Sequence, residues 1–194
     1  MTTSPDNSAP RDRSSGASAA DAPTVIPEWA PLDLFPSSAM VLAAFAGVTS
    51  MAAADILNPA ADLVECQRQY RLALKVLAET TTGTEALRQA AADLVAAQED
   101  REIIVGVIDD AVAAKVLQLR KRQASEDAIA GAAVVHTETV GDVVARMAEF
   151  WDEVDAGSSG DGIEPAANWL RVVAEAYDLL IADIAAGQRV PPGL

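Results

Sequence analysis

A single histidine and a single cysteine limit the chemistry open to this chain. His136 would have to stand at the centre of any Ser-His-Asp, Cys-His or histidine-metal arrangement. It lies in VVHTETV with Glu138 two residues on. On a helix, residues two apart point in different directions, so the pair is no i,i+4 ligand set, and a hydrogen-bonded or solvent-facing imidazole is the favoured reading. The paired Glu-x-x-His motifs of a di-iron bundle do not occur. Cys66, in LVECQRQY, has no CxxC partner and no neighbouring histidine. Arg68 alone is too little positive charge to activate it, so it reads as a packed thiol. Phosphate-cradling glycine loops, the GxSxG elbow and the dinucleotide fingerprint are all missing. Glu138, Asp109 and Asp110 have the chemistry of acids or bases, but their spacing does not unite them. No catalytic residue, cofactor site or metal site is assigned.

Three stretches carry binding chemistry instead. Twelve positions read from Glu153 put Glu153 first, Asp155 third, Asp161 ninth and Glu164 twelfth, in the order of a calcium-binding EF-hand loop. Ser158 then stands where the turn needs glycine and Gly160 where an apolar residue belongs, so an acidic Gly/Ser linker accounts better for the same residues. Arg120, Lys121 and Arg122 are the only concentrated positive charge. At a helix C-terminus they offset the dipole; as a surface patch they would dock an acidic partner or the chain's own acidic region from Asp142 to Glu164. Trp29 and Phe35 belong to IPEWAPLDLFP, where Pro27, Pro31 and Pro36 exclude a helix. Either these aromatics pin an extended segment to the domain surface, or they form a short linear motif that docks on another protein. The interaction candidates are therefore Arg120, Lys121, Arg122, Trp29 and Phe35.

The elements that must position these residues read as helices. Ala is abundant and only 4% of residues are aromatic, which favours helix throughout and a thin, closely packed core. Residues 1–24, rich in Ser, Ala, Pro and Asp, have too little apolar surface to order and read as a disordered tail; residues 25–36 read as the extended Pro-rich segment and 37–190 as one helical domain. A first helix is expected from Ser37 or Ser38 to about Asn58, and a second from Asn58–Pro59 to about Thr80, carrying Leu63, Tyr70, Leu74 and Leu77. A third begins at Thr84. Leu87, Ala91, Leu94 and Val95 form one stripe on it, and Ile104, Val107, Ile108, Ala111, Val112 and Leu119 another; the run QEDRE between them leaves open one long helix or two. As one helix to Arg122 it would be about 58 Å long, enough to project from a small domain or pair with another chain. Two amphipathic helices close the chain, on Val140, Val143, Val144, Met147, Trp151 and Val154, then on Trp169, Val173, Ala176, Tyr177, Leu180 and Ile184, joined by GSSGDG and ended by Gly187. The expected fold is an all-α bundle of about five helices with a long third helix. The alternative is an α/β arrangement around 103–140, with IIVGVI and AAVVHTETV as strands.

Composition excludes several partners. A net charge of -15 repels phosphate backbones and anionic lipid, so no nucleic acid is expected. The first helix is apolar but short, diluted by Ala, Gly, Thr and Ser and closed by Asp55, so it is read as buried and no membrane span is expected. One cysteine and no signal-like start fit a cytoplasmic protein. The expectation is a non-enzymatic interaction or assembly protein, binding a protein partner or itself, as a homo-oligomer or part of a larger particle. The alternative is a regulatory domain binding a small molecule in an apolar pocket between helices.

Overall fold

Ser37 ends the Pro-spaced segment and starts the first helix, its hydroxyl accepting the Met40 N–H at 3.4 Å. Helix α1 runs only over Ser38–Phe45, not to Asn58 as the continuous apolar run implied. Its stop is Gly47, at φ +78°. The Val48 N–H reaches back to the Ala43 carbonyl and the Gly47 N–H to that of Ala44, both at 2.9 Å, which is a Schellman closure. Helix α2, Ala54–Ala78, then begins four residues before Asn58 and takes Pro59 into its second turn. Ile56 and Leu57 are therefore buried residues of α2 rather than the end of α1.

In this computed structural model the described residues are 34–48, 50–123, 134–157 and 163–192. The tail read over 1–24, Trp29, Pro27, Pro31 and most of the GSSGDG loop, including Asp161, lie outside them. Among the described residues there are five α-helices and one two-stranded ribbon. Helix α3 is a single helix over Thr84–Gln123, uninterrupted through QEDRE, and IIVGVI lies inside it. The α/β alternative fails there, because Val105, Ile108, Val112 and Val116 recur at three and four residues and are buried on one face. The second half of that alternative survives only as β1, Val134–Val135. It pairs in parallel with β2, Arg189–Val190, through Val134 N–H to the Gln188 carbonyl and His136 N–H to that of Val190.

Helices α2 and α3 form an antiparallel hairpin. Helix α4, Val140–Ala156, packs on both, α5, Ile163–Ala185, packs against α4, and α1 contacts α2, α5 and α4. The core joins Phe35, Val41 and Phe45 to Ile56, Leu63, Ile108, Val112, Val144, Met147, Tyr177 and Ile184. Described residues between 65 and 103 contribute nothing to it. In that part of the hairpin the buried residues are Cys66, Ala73, Ala90 and Ala97, so its far end is a two-helix arm held by a seam of small side chains. Leu74 and Val95, expected on packed stripes, stand exposed there. At the crossing of α3 and α4, a Cβ on Gly141 would lie 2.6 Å from the Val105 carbonyl oxygen, so only glycine lets the two backbones approach. Helix α5 closes as α1 does, with Gly187 at φ +71°.

Candidate functional site

At 100° per residue, the line on α3 opposite its buried stripe passes through Ala96, Ile103, Val107, Ala114 and Leu117, interrupted by Glu99 and Asp110. A helix packed on one side ordinarily turns its polar face outward. Here Ile103 is 64% exposed, Val107 48% and Leu117 45%. Val107, expected in the core stripe with Ile108, is on the outer line instead. Each end of this line is straddled by charge: exposed Glu99, Asp100 and Glu102 at one, exposed Arg120, Lys121 and Arg122 at the other.

A second exposed apolar line runs along α5. Trp169 is 55% exposed and Leu179 69%, with Val172 and Ala176 between them. Trp169 and Ala176, expected in the core, are thus exposed, while Leu170 and Ala174 are buried. This line borders a surface cleft of about 280 Å³ between α4, α5 and the ribbon. Val143, Val173 and Leu180 form its apolar part. Its rim holds two ion pairs, Arg146–Glu138 at 2.5 Å and Arg189–Asp183 at 2.9 Å. The Arg146 guanidinium holds the Glu138 carboxyl below its ordinary range. His136 is at the same rim but turns onto its own loop. In one tautomer Nδ1–H donates to the Glu138 carbonyl at 2.7 Å, and in the other Nδ1 accepts the Glu138 N–H at 3.2 Å. It touches the backbone of Glu138, not its carboxylate.

The remaining sequence candidates are dispersed. Arg120, Lys121 and Arg122 are exposed in the last turn of α3. Three of the described acids of 142–164 lie beside other cations: Asp142 is 3.9 Å from Arg101, Asp152 binds Arg71, and Asp155 is 3.8 Å from Arg68. Phe35 is 4% exposed and packs in the core, so in this fold it anchors the segment before α1. Asp109 accepts the Gly141 N–H at 2.8 Å at the α3–α4 crossing, and burial pushes its pKa up. Asp110, next to it, is exposed, and Glu138 lies at the ribbon cleft, so the three carboxylates do not form one site. Cys66 donates to the Ala97 carbonyl at 2.8 Å, and burial raises its pKa, as in a packed thiol. Glu153 and Asp155 sit in the last turns of α4; no three His, Cys, Asp or Glu among the described residues come together as metal ligands.

Two polar anchors escaped the reading of the sequence. Asp152, 1% exposed, takes a bidentate contact from Arg71, Nε at 2.5 Å and Nη2 at 3.0 Å, tying α4 to α2 at the base of the arm. The signal was there: Val144, Ala148 and Asp152 are spaced by fours, which puts a carboxylate on the buried stripe. Asp178 accepts the Ser38 N–H at 2.7 Å and its hydroxyl at 2.6 Å, while the Tyr177 hydroxyl donates to the Pro36 carbonyl at 3.0 Å. No sequence pattern marks a contact 140 residues apart. Compared with protein-family models, curated proteins and solved structures, the chain matches none.

Proposed function

We propose that this chain is a non-enzymatic helical interaction protein that works by assembly, with the outer face of α3 as its docking surface. The observation that carries the reading is the exposure of Ile103, Val107 and Leu117 along one line of a forty-residue helix whose opposite line is already packed. Covering the exposed apolar residues opposite the packed side removes them from water, and an apolar line with charge at both ends suits a protein partner. Footprinting by a small radical label tests it. Ile103, Val107 and Leu117 should label strongly in dilute protein and become protected in concentrated protein or in native cell extract; equal labelling in all three conditions would overturn the reading.

A second reading, a small-molecule site, is favoured by the cleft at the ribbon. Its apolar wall and its two arginines suit an amphipathic anion of modest size, whose charged end would compete with Glu138 and Asp183 for Arg146 and Arg189. Titration with octanoate should shift the amide signals of Val143, Val173 and Leu180 and lose that effect in Arg146→Gln; unmoved signals at millimolar octanoate would count against it.

A further inference from the structure

The two charge blocks on α3 lie at matched distances from the middle of its outer line. Asp110 is about 12 to 17 Å along the axis from the Glu99, Asp100 and Glu102 block, and about 15 to 18 Å from Arg120, Lys121 and Arg122. Between the blocks the line carries Ile103, Val107, Asp110, Ala114 and Leu117, with Gly106 on its flank. A Cβ at Gly106 would meet nothing within 4 Å, so that stretch is open to a second backbone.

We infer that the partner of this face is a second copy of the chain, its α3 lying antiparallel to the first about a two-fold axis near Asp110. This rests on the assembly reading above and gives it an occupant. The two-fold brings the basic block of each copy onto the acidic block of the other, both matches at once, whereas a parallel pairing sets like charge on like. In the same register Ile103 meets Leu117 of the other copy, apolar on apolar, and the small residues Gly106 and Ala114 lie on the two flanks of the seam. Such contacts let two helices approach to the 8 to 10 Å of ordinary helix packing. The two Asp110 carboxylates face each other near the axis and oppose the association, as does the net charge of -15. Asp110 is therefore the residue at the centre of the seam that weakens the pairing.

Charge reversal in the full chain, read by sedimentation velocity, tests the register. The triple change Arg120→Glu, Lys121→Glu, Arg122→Glu should weaken the dimer about tenfold or more, and Glu99→Lys, Asp100→Lys, Glu102→Lys should do the same. Mixing the two variants should restore a dimer containing one of each, because both end contacts are then complementary again. Asp110→Asn should strengthen the wild-type dimer. In a Cys66→Ser background, Ile103→Cys should cross-link to Leu117→Cys on another copy faster than either cross-links to itself. A wild-type chain that stays monomeric at high concentration, or a mixture of the reversed variants that fails to associate, overturns the self-pairing. If the outer face is nevertheless protected in cell extract, assembly with a different protein stands and only the self-pairing falls; if it is labelled there too, both fall.

Discussion

Asp152 sits almost fully buried against an arginine that keeps 38% of its side-chain surface in water, and this asymmetry decides how the pair responds to mutation. Arg71→Ala strands a carboxylate inside the protein, for an expected loss of about 3 kcal/mol or more. Asp152→Ala leaves a guanidinium that can swing outward, for an expected loss of about 1 to 2 kcal/mol. Urea unfolding of both variants checks the order, and equal losses would contradict it. Asp109 gives the pH-dependent case. Burial raises its pKa, with Asp142 and Asp110 adding to the effect against the hydrogen bonds from Gly141 and Thr139. The folded state thus binds the proton more readily than the unfolded chain, so the contribution of this group to stability is present at low pH and lost as pH rises through its folded pKa. Asp109→Asn keeps an acceptor for the Gly141 N–H and removes the buried charge. Its melting temperature relative to wild type is expected to be highest at about pH 7 and to fall toward wild type or below it by about pH 3.5. A pH-independent difference would refute the assignment. The spacing of Asp152 placed it on the buried stripe of α4 without naming its partner, and Asp109 stood in the sequence only as a chemically capable acid. Their roles depend on partners 81 and 32 residues away.

At the scale of elements, several boundaries followed local caps and periods, but the Asn58–Pro59 start did not, because α2 begins at Ala54 and takes both residues into its interior. Thr84, Gly187 and the Val140–Met147 stripe fell where local chemistry placed them. The α1–α2 boundary did not, because AMVLAAFAGVTSMAAADIL offers an unbroken apolar run in which the one decisive residue, Gly47, looks like any small residue. The β-branched IIVGVI misleads for a related reason: local preference for strand is overridden once Ile108, Val112 and Val116 can all be buried on one helical face. Gly141 shows what close packing demands of an element. An alanine there would push its Cβ into the Val105 carbonyl, so Gly141→Ala is expected to force α3 and α4 apart and cost about 2 to 3 kcal/mol. Thermal unfolding measures it, and a loss under about half a kcal/mol would show that the helices separate freely.

For the molecule as a whole, the core is complete around α1, α4, α5 and the near halves of α2 and α3, while the arm beyond it rests on alanine contacts. The chain enters this core at Leu34 and Phe35, and Pro36 is held by Tyr177. Deleting residues 1–24 should therefore move the melting temperature by no more than about a degree or two, since that stretch is poor in apolar side chains, whereas Phe35→Ala should cost about 3 kcal/mol or more. A large loss from the deletion would mean that the tail contributes buried contacts. The sequence by itself determined the helical class and the scarcity of histidine and cysteine, because Ala content, 3.6-residue periodicity and residue counts are local properties that do not depend on what packs where; that 84–123 is one helix through QEDRE came from the structure. Only the tertiary structure decided which side of α3 is covered. Apolar residues stand on two opposite lines of that helix, and local energetics cannot choose between them. The choice was made when α2 and α4 closed over Val105, Ile108, Val112 and Val116, leaving Ile103, Val107 and Leu117 outside with charge at both ends.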